Sequence, residues 1–395
     1  MQMTEDEARA GWRDRTRLVH AGRDPSSQHG FVNTPIYRGS TVLFPTMDDL
    51  LNRRAKYTYG TRGTPTTEAL ETAWTELSGA AGTVLSPSGL GAISLALLSV
   101  VEAGDHVLVT DNVYWPTRAF CGGMLAKLGV ETSYFDPMIG ASVSELIRPN
   151  TKVLFLESPG SLTFEVQDVP AMAAIAEEKG AVTIIDNTWA TPLLFPPHAR
   201  GADIAIEAGT KYLSGSSDLL MGLVSANAEY FPRLRETYDL FSNCPGPEDV
   251  FLCLRGMRSM SLRLREAESQ GLAMAHWLAA RPEVRRVLHP ALPENPGHEI
   301  WKRDFAGASG LFGVELQPVS REALAAMLDG LRLFGMGFSW AGFESLVIPC
   351  EPNKLRTATT FAHEGPILRF SIGLEDVADL QEDLDAGFAR LRAAG

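Results

Sequence analysis

Residues 82–110, "GTVLSPSGLGAISLALLSVVEAGDHVLVT", decide the architecture. "GTVLS" is an apolar run of strand length, "GLGAISLALLSVV" a largely apolar helical stretch, and "DHVLVT" a second short run. The same alternation continues outward. Upstream, "TEALETAWTELSG" has helical spacing and stops at Gly79. Downstream, "ETSYFD", "TKVLFLES", "AVTIID" and "ADIAIEA" read as strands, with helical stretches "WPTRAFCGGMLAKLG" and "VPAMAAIAEEKG" between several of them. Nearly continuous apolar strands alternating with helices predict an α/β fold, a mainly parallel central sheet covered by helices on both faces. Right-handed crossovers then align most strand C-termini along one edge, where ligands bind. "EDVFLCLRGMRSMSLRLREAESQGLAMAHWLAA" predicts one long helix ending before Pro282. Past it, "VRRVLHP", "GLFGVELQ" and "PILRFSIGL" read as strands, and "REALAAMLDGLRLF" and "VADLQEDLDAGFARLRAA" as helices, a smaller α+β domain. The expected organisation is an irregular segment over 1–62, a large domain over 63–256 and the C-terminal domain over 257–395.

A chain of 395 residues is too long for one simple core. With 45% hydrophobic and 21% charged residues it has the composition of a packed soluble protein. A formal charge of −13 without a basic run argues against nucleic acid or an anionic membrane as partner. The polar start "MQMTEDEARAGWRDRTR" has no apolar signal region, and no stretch approaches a membrane span. Cys121, Cys244, Cys253 and Cys350 are scattered, without CxxC pairs, and read as reduced cytoplasmic thiols. His20, His289 and His298 have no metal-ligand spacing, so no metal site is expected.

Three strand ends carry possible chemistry. "VLSPSGLGAIS" (84–94) runs through a Ser/Gly turn into a helix. Its first free N–H groups suit an anion, although Ser88 also reads as a plain helix cap. "TIIDNTWATP" (183–192) ends an apolar run on Asp186, which either caps the next turn or faces a protonated ring nitrogen. "EAGTKYLSG" (207–215) puts Lys211 at a strand end. It either snorkels to water or, partly desolvated, is a nucleophilic amine able to form a Schiff base. An anion cradle, a carboxylate and an amine on one sheet edge are together what pyridoxal phosphate (PLP) requires.

Longer motifs support that reading. "YGTRGTPT", "ESPGSLTFEVQDVPA", "IDNTWATPLLF", "TKYLSGSSD", "HPALPENPGHEIWKRDFAGASGLF" and "FSWAGFESL" occur in this order. From "TRLVHAGRDP" to "LRFSIGLEDVADLQEDLDAGFARL", nearly its whole length, the chain resembles the transsulfuration (Cys/Met metabolism) family of fold type I PLP enzymes. Within that family it is most similar to the bacterial cystathionine β-lyase branch.

The resemblance implies β-elimination of L-cystathionine to L-homocysteine, pyruvate and ammonia, in methionine biosynthesis. It implies that Lys211 holds PLP as a Schiff base and then moves protons, and that Asp186 pairs the pyridine nitrogen. Tyr114 would stack on the ring and assist proton transfer. Gly89, Leu90 and Thr210 would bind the phosphate. Tyr59, with Thr61 or Arg62, would reach a neighbouring subunit's phosphate, so the expected assembly is a homotetramer of active-site dimers. Arg369 would grip the substrate α-carboxylate with the Ser339 backbone, and Trp340 would wall the pocket. Two positions depart from the family pattern. Thr61 stands where Tyr-x-Arg is usual, and Ala208 where a serine is often found, leaving Ser216 or Ser217 as possible substitute donors. The Ser339–Trp340 pair and "ESPGS" favour β-elimination over the γ-reactions of sibling enzymes. A broader cysteine-conjugate lyase or desulfhydrase, and a scaffold without catalysis, are the other readings.

Overall fold

The computed structural model describes residues 11–395; the first ten residues of the polar start lie outside them. A seven-stranded sheet has the order β1-β7-β6-β5-β4-β2-β3. Its strands are β1 (Gly82–Ser86), β2 (His106–Thr110), β3 (Glu131–Phe135), β4 (Thr151–Glu157), β5 (Val182–Asp186), β6 (Ile204–Glu207) and β7 (Gly222–Ala226). Five of these pair in parallel, β3 with β2, β2 with β4, β4 with β5 and β5 with β6. β7 runs antiparallel between β1 and β6, so β1 points the same way as the rest. β1, β2 and β7 are buried along their whole length, because helices cover both faces.

Local chemistry starts and stops the helices. In α1 (Pro65–Ser78), Thr64 and Thr67 form a reciprocal capping box, Pro65 opens the first turn, and Gly79 closes it at φ 71°. Leu70, Ala73, Trp74 and Leu77 share its buried face at helical spacing. α2 (Gly89–Leu98) begins at Ser88, whose hydroxyl accepts from Gly91 N at 3.0 Å.

The second sheet is antiparallel, β10-β11-β9-β8, built from β8 (Val284–Leu288), β9 (Leu311–Leu316), β10 (Leu346–Cys350) and β11 (Ile367–Ser371). A 33-residue helix, α3 (Pro247–Ala279), runs from one core to the other. Its Val250, Met257, Leu264 and Ala267 pack into the core under the large sheet. Its Met274, Ala275 and Leu278 pack with Phe312 and Phe370 of the small sheet and Phe388 of the C-terminal helix Val377–Ala394.

The segment read as irregular carries the short helices Asp14–His20 and Met47–Leu51, β10 and the helix Phe231–Phe241 were not anticipated, and three further segments differ from the sequence-based expectation. β7 is a strand the pattern did not announce, since "GLVSA" is made largely of small residues. "WPTRAFCGGMLAKLG" starts as an α-helix over Trp115–Phe120 but widens into π-type turns over Cys121–Leu125, where Gly122 and Gly123 lower helix propensity. "REALAAMLDGLRLF" forms a helix only over Arg321–Leu328; Gly330 beyond it lies against Arg390, so tightly that a Cβ would meet the guanidinium.

Candidate active site

The C-terminal ends of β1, β4, β5 and β6 open into a cavity of about 780 Å³. Its far wall comes from residues 338–340, 348–351, 354, 355 and Arg369, around the small sheet.

The first free turn of α2 borders the cavity through Ser88, Gly89 and Leu90. Ser88 is therefore a cap, and the helix it caps also presents its amide end to the cavity. Gly89 needs to be glycine, because a Cβ there would come within 2.9 Å of the Ala208 Cβ. Gly89→Ala should push α2 away from the Ala208 turn after β6, lower the melting temperature and weaken phosphate binding by about tenfold, a shift a pyridoxal phosphate titration would register.

Asp186 ends β5 in register with Glu157 of β4. Both Thr188 donors, N at 3.1 Å and Oγ1 at 2.6 Å, go to Oδ1. Asp186 thus makes the turn cap and still lines the cavity. Burial raises its pKa, while Thr188 and the Lys211 charge act against burial. Glu157 accepts from Tyr114 N at 2.7 Å, and burial, with Asp186 adding to it, pushes its carboxyl well above the usual range. Glu207, at the end of β6, is buried with neither oxygen hydrogen-bonded among the described residues, and burial pushes it up in the same way. Of the three buried acids, Asp186 is the one whose carboxylate the Lys211 charge and the Thr188 donors favour. Sequence reasoning missed Glu157, although it is the residue on which an apolar strand stops, the same signal that marked Asp186.

Lys211 answers the question its position raised. Its Nζ donates to Ser339 Oγ at 2.6 Å and lies 5.2 Å from the centre of the Trp340 ring. Burial, aided by the Arg369 charge and opposed by Asp186, brings its pKa down to about 8. In the unfolded chain the amine keeps its proton up to its ordinary value of 10.5. Folding therefore releases a proton between pH 8 and 10.5. The cost of burying the charged amine is full below pH 8 and disappears as pH rises through that window. The rate at which the cofactor-free chain captures an aldehyde should accordingly rise about tenfold per pH unit up to pH 8 and then level off. Stopped-flow absorbance of pyridoxal phosphate checks it; a rise continuing to pH 10 would contradict it.

Arg369, on β11, donates through Nη2 to Ser339 O at 2.9 Å. Ser339 is held at φ 84°, in the left-handed region, and Ala341 at φ 64°. This turn gives the Ser339 carbonyl to Arg369 and its hydroxyl to Lys211. Trp340 stands edge-on to Tyr212, with centroids 5.7 Å apart, and Tyr212 is itself fixed by Gly310 N at 2.9 Å. Tyr114 lines the opposite side, half exposed, its phenol raised by burial and then by Asp186 and Glu157. Thr210 borders the cavity while its hydroxyl exchanges hydrogen bonds with the Met221 backbone.

Two expected residues stand apart. Tyr59 is half exposed and does not border the cavity of its own chain. After it the chain turns through a 3-10 helix, Gly60–Arg62, and Arg62 pairs with Asp239 at 2.9 Å. Ser216 and Ser217 do not replace the hydroxyl missing at Ala208. Neither borders the cavity, and Ser217 Oγ is tied to Glu344 at 2.7 Å.

Comparison with known sequences now decides the family. Residues 15–389 match the model of the Cys/Met metabolism PLP-dependent enzymes. The chain belongs to this family. It is 52% identical to a putative cystathionine beta-lyase of Rhizobium johnstonii over 96% of both chains. It is 44% identical to the cystathionine beta-lyase of Escherichia coli over 95% of this chain and 98% of that one. A solved cystathionine gamma synthase of Xanthomonas oryzae, in complex with cystathionine, superposes with a TM-score of 0.90 at 30% identity, covering 97% of this chain and all of the other. The residues present fit the cofactor of this Cys/Met metabolism family. Amide groups at Gly89 and Leu90 suit its phosphate, the Asp186 Oδ2 left unbonded by Thr188 suits its ring nitrogen, and the Lys211 amine suits its aldehyde. No helix among the described residues is long and apolar enough to cross a membrane.

Proposed function

We propose that the chain is a PLP-dependent carbon–sulfur lyase that cleaves L-cystathionine and water into L-homocysteine, pyruvate and ammonia. One observation carries this reading: Lys211 Nζ and the Arg369 guanidinium meet on the same residue, Ser339, at the wall of one cavity. A substrate whose α-carboxylate lies on Arg369 therefore has its Cα within reach of the Lys211 amine.

Held by Lys211 and Asp186, the cofactor would supply a carbon on which the substrate amine replaces the Lys211 amine, freeing Nζ, and a ring that takes up charge from Cα. The protein does the rest. Arg369, kept in place by the Ser339 carbonyl, holds the α-carboxylate and so orients Cα. Lys211, with its lowered pKa, accepts the Cα proton at Nζ and returns it to the departing sulfur. Ser339 Oγ accepts from Nζ and keeps the amine aimed across the cavity. Trp340 and Tyr114 wall the site and limit water at the reacting carbon.

Arg369→Lys should lower kcat/KM about 10²-fold while leaving the cofactor spectrum intact, because a lysine cannot reproduce the two-pronged grip. The deciding assay follows pyruvate and thiol release from L-cystathionine, L-cystine and S-methyl-L-cysteine. The reading predicts that cystathionine has the highest kcat/KM. A poor rate on cystathionine beside good rates on the others would favour a broad cysteine-conjugate lyase. Cysteine and 2-oxobutyrate as products would show γ-cleavage instead.

The assembly we propose is a homotetramer of two active-site dimers. Of the segment 1–62, the described residues from 11 on form the arm on which one subunit meets the next, and units 63–256 and 257–395 meet along α3. Supporting this, the arm exposes Phe31, Leu43, Met47 and Leu51, each at least 70% accessible in the isolated chain. Tyr59 and Arg62 would complete a neighbour's phosphate site from that arm. Light scattering should give about four times the 42.9 kDa chain mass.

A further inference from the structure

The charged side chains bordering the cavity fall into two groups. Glu157, Asp186, Lys211 and Arg369 lie deep and are held by Tyr114, Thr188 and Ser339. Glu351 and Lys354 lie at the mouth, exposed, and bind only each other, Nζ to Oε2 at 2.7 Å.

The backbone beneath this outer pair is fixed. Pro352 is buried and opens the 3-10 turn Pro352–Lys354. Asn353 exchanges hydrogen bonds with the Phe361 backbone at 2.9 and 2.8 Å. Arg356 is bound to Glu165, and Asp111 accepts from the amides of Thr357, Ala358 and Thr359. The segment therefore holds one anion and one cation at a set place while leaving both side chains free to move.

We propose that Glu351 and Lys354 form the subsite for the far end of the substrate, the part carried by the departing sulfur. The inference rests on the β-elimination reading and narrows its substrate class to cysteine thioethers whose sulfur substituent ends in an amino acid. With the near carboxylate on Arg369, the sulfur arm runs toward the mouth. A far end bearing an ammonium and a carboxylate replaces the Glu351–Lys354 contact with two, ammonium on Glu351 and carboxylate on Lys354. An exposed ion pair contributes little to stability, so opening it costs little. A tail with a single charge satisfies one partner and displaces the other, and an uncharged tail meets a pair that prefers itself. Two charges of opposite sign on one short turn thus select a dipolar tail.

The test uses holoenzyme and four substrates: L-cystathionine, S-aminopropyl-L-cysteine, S-carboxypropyl-L-cysteine and S-propyl-L-cysteine. Lys354→Met should lower kcat/KM about tenfold for cystathionine and the carboxypropyl substrate, mainly through KM, and leave the aminopropyl and propyl substrates unchanged. Glu351→Gln should do the converse, sparing the carboxypropyl and propyl substrates. Both side chains are exposed, so both variants should melt as the parent does. Equal losses on all four substrates, or none on any, would overturn the proposal. The three tail analogues test it even where cystathionine is a poor substrate. A parent enzyme active on the analogues and inactive on cystathionine would sink the functional reading. A cystathionine-active parent with unchanged variants would sink only the subsite.

Discussion

Lys211→Ala will lower pyruvate release by on the order of 10⁴-fold or more, with the fold preserved. Three roles meet in this one amine. In the proposed function it is the group that bonds the aldehyde, the acceptor for the Cα proton and the donor to the leaving sulfur. Of the two lysines bordering the cavity the second, Lys354, is paired with Glu351 at its mouth. Removing the side chain also removes a partly desolvated charge, so the cofactor-free variant should be no less stable than the parent below pH 8, where the parent bears the burial cost. Far-UV circular dichroism and a melting curve separate loss of chemistry from loss of fold. A variant retaining one hundredth of the parent rate would show that another base moves the proton.

Glu165→Ala should destabilise the protein by about 3–5 kcal/mol, the largest effect expected outside the reacting groups. Glu165 and Arg356 are an ion pair with side chains only 6% and 4% exposed, N–O 2.7 Å. Glu165 also accepts from Thr163 Oγ1 at 2.5 Å and Asn112 Nδ2 at 3.2 Å. Cutting the acid away strands a guanidinium in a site closed to water, which costs more than the lost attraction. The double variant Glu165→Ala, Arg356→Met should recover much of the loss, because it leaves no unpaired charge. The damage should reach function as well. Arg356 follows directly on the segment 351–355 at the cavity mouth, so KM should rise more than kcat falls. Urea unfolding and steady-state kinetics on the same samples check both parts. A loss under 1 kcal/mol would mean that the pair exchanges freely with solvent.

Much of the site was readable before the structure, for a physical reason. Asp186 is the last residue of an apolar strand, and Gly89 and Lys211 lie three and four residues past the ends of two others. In a parallel sheet such strand ends lie along one edge. Local pattern alone therefore brought them together. What escaped depends on partners distant in the chain or on weak local signals. β7 carries Gly222, Ser225 and Ala226, small residues with little strand preference, and is placed by its neighbours β1 and β6. β10 contains Pro349, tolerated because β10 is the edge of the small sheet. The bond between Glu165 and Arg356 spans 191 positions, and no spacing rule reaches that far. Thr61 and Arg62 could be read as neighbours of a phosphate only by resemblance; the turn at Gly60–Arg62 and the Asp239 contact belong to the folded chain. Ala208 is explained in part by packing, since it lies against Gly89 where the amide end of α2 meets β6.

In the proposed function the coenzyme is bound covalently at position 211. Reduction of the holoenzyme with borohydride, proteolysis and mass spectrometry of the peptides test it most directly. A single pyridoxyl-phosphate adduct is expected, on the peptide carrying "GTKYLSG" and on its lysine. An unlabelled Lys211, or the adduct on any other lysine, would contradict it.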